Sequence, residues 1–541
     1  MFLSPPRASR RRRRSRGGGG QGPSLSVIVV VLVVAAAVIY GAYALISSQL
    51  HKDHRHEAVE KFTAAWVKND YKTMYDLLDV SSRRLNPQIS FVADYRRANK
   101  AAGVEKITLG TIGPLLSGGI VKVPVTVKTK DFGSLKGTLT FHATQANDIA
   151  RVAWTPEMVM PGLRKGEEVR RRSGAAPRRG VIYAAGGQLL NSDPLGASIS
   201  GTAGNKPTGL ERIYDDRLGG RRSSSLKFGD RTIAKIDGRT GRSIHTTIKL
   251  ALTRTAQNAL GSKLGGIAVI KPSDGSVLAL AGLAVSAPQP PGSSFKIITA
   301  AAALQDGVAK LSSSYPVRQY ATLSGVKLRN ASDEECGGSL TSSFAHSCNS
   351  VFGPIGAKLG AKKLVAAAER FGFNETPSLP AAKPNSIPKA ADLKDSLAVG
   401  ASAIGQNKDL ATPLGMASVG ATIANGGVRI KPWVTGSRPP RKRAVSAKVA
   451  AQVRDMMIAV VQGGTGAAAA IPGVTVAGKT GTAELVSTAD IAQNAKNTTA
   501  WFVAFAPANK PRVAVAVMLP GAGQGGASAA PIAKRVLQAA L

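Results

Sequence analysis

Pro290-Pro291-Gly292-Ser293-Ser294-Phe295-Lys296, followed by Ile297-Ile298-Thr299 and a run of alanines, is the most informative stretch of the chain. A Pro-Gly pair ahead of an Ile/Ala run reads as a turn entering a helix. That predicts Ser293 in the first turn and Lys296 one turn further along the same face. An amine held among other cations loses its proton readily and then serves as a base for a serine hydroxyl, which is otherwise a weak nucleophile. The N–H groups at the helix start supply donors for an oxyanion. Taken alone, the same spacing favours an N-cap serine followed by an exposed lysine.

Two further short motifs come in order: Ser347-Cys348-Asn349, and Lys479-Thr480-Gly481-Thr482 preceded by Ala477-Gly478. Each by itself is a polar turn or a strand start. Together with Ser293 and Lys296 they match the Ser-x-x-Lys, Ser-x-Asn and Lys-Thr-Gly trio of serine β-lactamases and penicillin-binding enzymes. All three fall in residues 250–541, where Ala-rich helical stretches alternate with short apolar strands at Gly266–Ile270, Val277–Leu280, Thr499–Ala504 and Val513–Met518. The pattern predicts an α/β domain with a mixed sheet flanked by helices.

Upstream, Ala58, Val59, Phe62, Ala65 and Trp66 share one helical face, predicting a helix from His56 to about Asp79. Val121, Val123, Val125 and Val127 alternate with polar residues as a strand, and Pro124 within it suggests a sheet edge. Alternating runs over Leu135–His142 and Asp148–Trp154 complete a small helix-plus-antiparallel-sheet domain over residues 54–163. Residues 164–249 are rich in Arg, Gly and Ser with short apolar runs, as a linker or a braced platform would be.

The N-terminus sets the compartment. Seven arginines lie between Arg7 and Arg16, in a basic arm over residues 1–24, and an uncharged apolar run succeeds it over residues 25–46. A helix of about 20 residues spans a hydrocarbon core. The run is long enough for a transmembrane anchor, with the arginines cytoplasmic and the rest of the chain extracytoplasmic. A cleaved signal at Ala42-Tyr43-Ala44 is the alternative, and it puts the remainder in the same place. No second run of spanning length appears, so a single-pass protein is expected.

Composition narrows the partners. The chain has 541 residues, 43% hydrophobic, with a formal charge of +39 and only 5% aromatics. The charge is spread along the chain and stacking residues are few, so nucleic acid is disfavoured. A surface facing anionic lipid or an anionic wall polymer, or a biased composition, accounts for it. Two cysteines and six histidines offer no metal spacing. His51, His54 and His56 read as a polar juxtamembrane stretch.

With those residues in view, the chain resembles the class B (monofunctional) penicillin-binding proteins over nearly all of its extracytoplasmic part. Pro291 to Lys296, Ile404-Gly405-Gln406, Thr412-Pro413-Leu414, Ile423-Ala424-Asn425-Gly426-Gly427, Gly478 to Glu484, Trp501-Phe502 and Phe505-Ala506-Pro507 look like that family's transpeptidase segments. Arg179-Gly180-Val181-Ile182 and Gly209-Leu210-Glu211 resemble its non-catalytic pedestal. Trp154-x-Pro156 with Pro161-Gly162-Leu163 resembles the end of a cone-shaped, nuclear-transport-factor-like N-terminal domain. The chain departs from the pattern at Ala184-Ala185, where the pedestal usually has Asp-Arg, at Thr499, where His is common, and at Cys348 in the second motif.

The resemblance implies a peptidoglycan D,D-transpeptidase that needs no metal or organic cofactor. Ser293 attacks the D-Ala–D-Ala carbonyl of a stem peptide while Lys296 takes its proton. Ser347 relays a proton to the leaving amine, with Lys479 tuning its pKa. Asn349 holds the substrate's side-chain amide. Thr480, Gly481 and Thr482 line the carboxylate site. The Ser293 and Thr482 N–H groups form an oxyanion hole in which one donor is typically worth ~100–1000-fold in rate. β-Lactams mimic the substrate and trap Ser293. A polytopic lipid II polymerase of the shape, elongation, division and sporulation type is the partner this analogy suggests. Which of division, elongation or sporulation is served stays open.

Two local alternatives remain. His346 beside Ser347 invites a Ser–His pair, but no Asp stands at a diagnostic position. In an oxidising compartment a Cys336–Cys348 bridge would close a loop of about a dozen residues, worth ~3 kcal/mol; two free buried thiols are the other reading. Among functions, a D,D-carboxypeptidase or β-lactamase on the same scaffold differs only in using water as acyl acceptor, and no convincing Glu-x-x-x-Asn element for a deacylating glutamate is present. A β-lactam sensor usually has several membrane spans and a cytoplasmic effector, neither of which the sequence shows, and an idle wall scaffold tends to lose motif residues, whereas all three motifs are intact. A bifunctional enzyme would carry Glu-Asp-x-x-Phe, which is missing.

Overall fold

Alternating valines build the first sheet of the chain, seen here in a computed structural model that describes residues 30, 32–42, 53–379, 381–484 and 497–541. The basic arm lies outside the described residues, as does part of the apolar run 25–46; residues 32–42 of that run are helical. Among the described residues no helix is long and apolar enough to cross a membrane. The chain forms two compact units, Met1–Ala175 with Arg222–Gly238, and Ala176–Arg221 with Arg239–Leu541.

In the first unit, helices α1 (Arg55–Val67) and α2 (Gln88–Ala102) accompany a four-stranded antiparallel sheet. Its strands β1 (Val104–Leu109), β2 (Ile120–Thr129), β3 (Gly133–Ala146) and β4 (Ile149–Ala153) lie in sequence order. The helix expected to reach Asp79 stops at Val67. Asn69 turns the chain with φ 55°, and the Asp70 side chain then caps a second short helix, Tyr71–Asp76, by accepting from the Thr73 N–H at 3.1 Å. Asx residues tolerate that left-handed conformation and favour caps.

Pro124 also needs correction: β2 is an inner strand, paired to β1 on one side and β3 on the other. The Pro124 carbonyl accepts from the Gly110 N–H at 2.8 Å, so its backbone polar groups face the β1 side, just past the point where β1 ends at Leu109. The missing N–H therefore falls at the end of the β1 ladder, where the Pro124 carbonyl alone is paired with Gly110. Val121, Val123, Val125 and Val127 are buried with Phe62, Trp66, Phe91, Phe141 and Trp154, and the Trp154 indole N–H donates to the Tyr95 hydroxyl at 3.1 Å. Strands β5 (Val169–Ser173), β6 (Ser224–Phe228) and β7 (Arg231–Ile236) form a three-stranded antiparallel sheet. Val169, Leu226 and Phe228 join the same core.

Residues 164–249 are thus shared between units. In the second unit, Arg179 ion-pairs with the buried Glu211 and, at 2.8 Å, with Asp215. The two pedestal-like motifs therefore meet. Ile182, Leu190, Leu210, Leu218, Ile244 and Ile248 share one core with Phe295 and Ile297.

The second unit is organised by a five-stranded sheet. After helix α3 (Leu250–Leu260) come β8 (Gly266–Ile270) and β9 (Val277–Gly282). A long helical excursion comes next, with α4 (Lys296–Gln305), α5 (Leu340–Ala345), α6 (Asn349–Leu359), α7 (Pro413–Ala424) and α8 (Ala447–Gly463). Strands β10 (Ala477–Glu484), β11 (Thr498–Ala506) and β12 (Val513–Pro520) then lead into α9 (Ala530–Ala540). The sheet order is β9-β8-β12-β11-β10 and every pairing is antiparallel. The mixed sheet expected from the sequence is therefore corrected. The pairs β8–β9, β10–β11 and β11–β12 follow one another in the chain without crossover helices, and the excursion after β9 returns at the far edge, so that β12 closes antiparallel on β8 and no parallel pair arises.

The sheet separates two cores with a period of two. Ala268, Trp501, Val503, Phe505, Ala514 and Ala516 face the core shared with α4, α7 and α8. Ile267, Val269, Phe502, Ala504, Val515 and Val517 face the core shared with α3 and α9. Burial on both faces explains why these strands read as unbroken apolar runs.

Candidate active site

The reactive centre starts from close backbone approach. Gly292, with φ 53°, opens a 3₁₀ turn over Gly292–Phe295 that continues into α4. A Cβ on Gly292 would lie 2.6 Å from the Thr482 carbonyl oxygen on β10. Gly405, with φ 74°, approaches from the other side: its carbonyl accepts from the Gly292 N–H at 2.9 Å, and a Cβ there would overlap the Gly292 oxygen. The turn is also pinned by the Trp501 indole N–H, which donates to the Pro290 carbonyl at 2.8 Å. Ser293 is left half-buried at the front of the turn.

Lys296, one turn on, is fully buried. Its Nζ lies 2.9 Å from Ser293 Oγ, 2.7 Å from Asn349 Oδ1, 2.6 Å from the Ser347 carbonyl oxygen and 3.3 Å from Ser347 Oγ. An ammonium has three N–H donors for four neighbours. At least one hydroxyl therefore need not accept, and a neutral amine would take the Ser293 proton in the reverse sense. Lys479, also fully buried on β10, donates to Ser347 Oγ at 2.8 Å. The Ser347 hydroxyl thus sits between two amines, and among the described residues neither forms an ion pair with a carboxylate.

Burial without a counter-ion decides the protonation. Desolvation, helped by the nearby Lys479 charge, holds Lys296 well below the ordinary lysine range. Desolvation also lowers Lys479, to about 7. The rings of Phe352 and Phe344 lie 5.8 Å and 5.5 Å from Lys296 Nζ and Lys479 Nζ, which offsets part of the desolvation through cation–π attraction.

Ser347 adopts φ 65°, a conformation unusual for serine. Next to it, Cys348 is disulfide-bonded to Cys336, with Cα atoms 5.4 Å apart and both residues buried. The Asn349 amide donates to the Arg329 carbonyl at 2.8 Å, leaving its oxygen on Lys296. The Ser350 N–H is held by Asn330 Oδ1 at 2.8 Å, and Asn330 in turn donates to the carbonyls of Arg318 and Glu334. The second motif is therefore clamped on both sides. His346 is exposed, and among the described residues no hydrogen bond joins its ring to Ser347.

Along β10, Thr480 Oγ1 lies 2.6 Å from Thr465 Oγ1, and Thr482 Oγ1 accepts from the Gly525 N–H at 3.3 Å. Thr465 was not singled out by the sequence; it lies just beyond α8 in a Gly-Gly-Thr-Gly turn with no motif of its own. Its N–H and hydroxyl both reach the Ala345 carbonyl at the end of α5. Ser293, Lys296, Ser347, Asn349, Lys479 and Thr480 are thus linked by contacts from four elements, whereas Cys336 and Cys348 brace the site from behind.

Comparison with known proteins gives the same picture. The family model described as penicillin binding protein transpeptidase domain matches residues 265–538, and the NTF2-like N-terminal transpeptidase domain matches residues 55–167. The peptidoglycan D,D-transpeptidase PbpA of Mycolicibacterium smegmatis is 35% identical over 407 residues, covering 62% of this chain and 80% of that protein. Penicillin-binding protein A from M. tuberculosis, solved as a penicillin G acyl-enzyme complex, is 30% identical with a TM-score of 0.57 and covers 68% of this chain and 100% of that one. The D,D-transpeptidase domain of a peptidoglycan glycosyltransferase from Eggerthella lenta is 29% identical with a TM-score of 0.59, covering 68% and 99%.

Two outcomes are expected of this geometry. Replacing both cysteines with serine removes a cross-link of sequence separation 12 and lowers stability by ~3 kcal/mol, measured by denaturant unfolding under non-reducing conditions. The lysine Nζ resonances in NMR titrations should give Lys479 a midpoint of about 7, against 10.5 for an ordinary lysine. Because both folded-state values are lowered, the unfolded chain binds more protons between about pH 7 and 10.5, and the stability contribution of the pair rises with pH across that window.

Proposed function

The chain belongs to the penicillin-binding protein transpeptidases and is a peptidoglycan D,D-transpeptidase with an NTF2-like domain ahead of the catalytic one; from that premise we propose that Ser293 is its acylated nucleophile. The observation that carries the assignment is the 2.9 Å contact between Ser293 Oγ and a buried Lys296 Nζ that has no carboxylate partner among the described residues. In its neutral form Lys296 accepts the hydroxyl proton as Oγ attacks the penultimate D-Ala carbonyl of a stem peptide. A C–O bond forms, and the carbonyl oxygen becomes an oxyanion facing the N–H groups of Ser293 and Thr482, which we assign as its donors.

Collapse of that intermediate breaks the C–N bond to terminal D-Ala. The leaving nitrogen needs a proton, and Ser347 is suited to deliver one because its hydroxyl contacts both Lys296 and Lys479. The proton taken by Lys296 thereby leaves through Ser347 on the D-Ala amine; Lys296 is neutral again, and Ser293 carries the acyl group in place of its proton. Asn349 is assigned to the substrate amide. Thr480, Gly481 and Thr482, beside the Lys479 charge, are assigned to the terminal carboxylate. An amine from a neighbouring stem peptide then attacks the ester; Lys296 or Ser347 takes its proton and returns it to Ser293 Oγ as the ester C–O bond breaks, leaving a cross-link and free Ser293. β-Lactams present the same carbonyl without a departing fragment and so stay attached.

The same reading assigns residues 250–541 to the transpeptidase domain, 164–249 to a pedestal and 54–163 to the NTF2-like domain. It assigns residues 25–46 to a single membrane anchor, with the catalytic part extracytoplasmic. The arginine-rich arm before the apolar run supports that orientation. A polytopic lipid II polymerase in the same membrane is the fitting partner, since cross-linking needs nascent glycan strands.

Fluorescent penicillin should label wild type and leave Ser293→Ala unlabelled; equal labelling of both would remove the nucleophile assignment. The acylation rate should rise with pH as Lys296 loses its proton and decline above about pH 7 as Lys479 does. Lys479→Met removes the neighbouring charge, so the rising limb should move to higher pH, read by stopped-flow acylation. Turnover of a chromogenic cephalosporin should stop after a single equivalent, since the acyl acceptor is an amine.

A further inference from the structure

From Leu410 to Arg454 the chain carries eight Lys or Arg residues and no Asp or Glu. Part of this stretch folds as a hairpin of two short strands, Val428–Ile430 and Arg441–Arg443, paired antiparallel with Arg429 opposite Lys442. Among the described residues the two form a sheet of their own, so the outer edge of Arg441–Arg443 is unpaired. Arg438, Arg441, Lys442, Arg443 and Lys448 are all exposed. None of the catalytic groups belongs to this segment.

The carboxylates nearby are already matched. Glu375 pairs with Arg429 at 2.6 Å and with Lys431 at 3.2 Å, on the inner strand and just after it. Asp274 pairs with Lys271 at 2.9 Å and accepts from the N–H and hydroxyl of Ser276. Among the described residues no ion pair reaches any of the five exposed cations. Two of them are steadied by backbone carbonyls: Arg438 donates to Ser273, and Arg443 donates to Gly426 and Val445. A carbonyl orients a guanidinium without neutralising it, and each guanidinium keeps further N–H donors. The side chains of Arg441 and Lys442 make no hydrogen bond among the described residues. The base of the hairpin is fixed by the Trp433 indole N–H, which donates to the Asp274 carbonyl at 2.8 Å. Positive charge is thus concentrated, uncompensated and held on an anchored strand.

We propose that this hairpin is a docking surface for a polyanion built of phosphodiester repeats, the chemistry of an anionic wall polymer. Side chains alternate along a strand, so Arg441 and Arg443 share one side about 6.8 Å apart. An extended polymer can lay successive phosphates on both, and the planar fork of arginine suits phosphate oxygens. Arg438 and Lys442 add charge around them. A lipid surface fits less well, because none of the large exposed apolar side chains lies between Val428 and Lys448. Nucleic acid also fits less well, because Trp433, the one aromatic residue of that segment, is half-buried. That a wall polymer is what the hairpin meets rests on the extracytoplasmic reading above; the binding itself does not, nor does it depend on Ser293.

The test is fluorescence anisotropy of a labelled poly(glycerol phosphate) oligomer titrated with the full chain over a range of salt concentrations. Binding should be saturable and should weaken linearly on a log–log plot against salt. The triple variant R438Q/R441Q/K442Q should lose at least tenfold in affinity at physiological salt, and its salt slope should fall by about 2. The control K100Q/K106Q/K136Q removes the same charge from exposed, scattered positions of the first unit and should lose less than twofold. Fluorescent-penicillin labelling at the wild-type level reports that both variants are folded, and absence of labelling in wild type would bear on Ser293 alone. Equal losses in the two variants would overturn the proposal, since the attraction would then belong to the diffuse charge of the chain. Absence of saturable binding would also overturn it, as would tighter binding to phosphatidylglycerol vesicles or to polyglutamate of matched charge.

Discussion

Two lysines are buried around one serine hydroxyl, and among the described residues no carboxylate neutralises them. Transferring an unpaired ammonium out of water is costly enough that the group gives up its proton instead. Lys296 is forced towards the neutral amine, and Lys479 is brought to the edge of physiological pH. The base is therefore made by exclusion of water and of anions, rather than by a partner that draws the proton away. Every element that closes the site serves that exclusion: α4 behind Lys296, α6 bearing Asn349, the α5 aromatic Phe344, and β10 beneath Lys479.

Keeping these groups within hydrogen-bond reach demands backbone conformations that most residues avoid. Gly292 and Gly405 meet where no side chain fits. Ser347 has no such freedom and still turns with φ 65°. Its three successors hold it there: Cys348 through a disulfide, Asn349 between Arg329 and Lys296, and Ser350 on Asn330. Strain at a functional residue persists when its neighbours over-determine it, and here three consecutive residues do so. The unusual cysteine in the second motif is thus part of the clamp.

What could be read from the sequence depends on which forces act locally. The four strands with both faces buried announced themselves as apolar runs, and the turn before Lys296 was plain from Pro-Gly. Strand β10 carries Gly, Lys and Thr for chemistry instead of apolar residues, so it was visible only as a motif. The antiparallel order of the sheet depends on how a long helical excursion returns, which no local pattern encodes. Thr465 contributes through a hydroxyl in a glycine turn, and the pairing of Arg179 with Glu211 joins motifs about thirty residues apart. At Asn69 one residue's backbone conformation breaks an otherwise sound helical periodicity, whereas at Pro124 the alternation of valines prevails over proline's preference for a sheet edge.

The path of the chain also bears on how the molecule is made. The first unit is completed by the hairpin of β6 and β7, which the chain supplies only after residues 176–221 have been committed to the second unit. The pair Ile182–Tyr183 waits for Ile244–His245, and β8 waits for β12, some 250 residues later. A polypeptide that emerges from its N-terminus cannot close either body until distant segments have appeared. Contacts of such long separation form slowly, and the unpaired edges of β5 and β8 stand open in the meantime. Folding of this protein is therefore vectorially frustrated: the catalytic sheet is sealed only when β12, some 250 residues after β8, arrives.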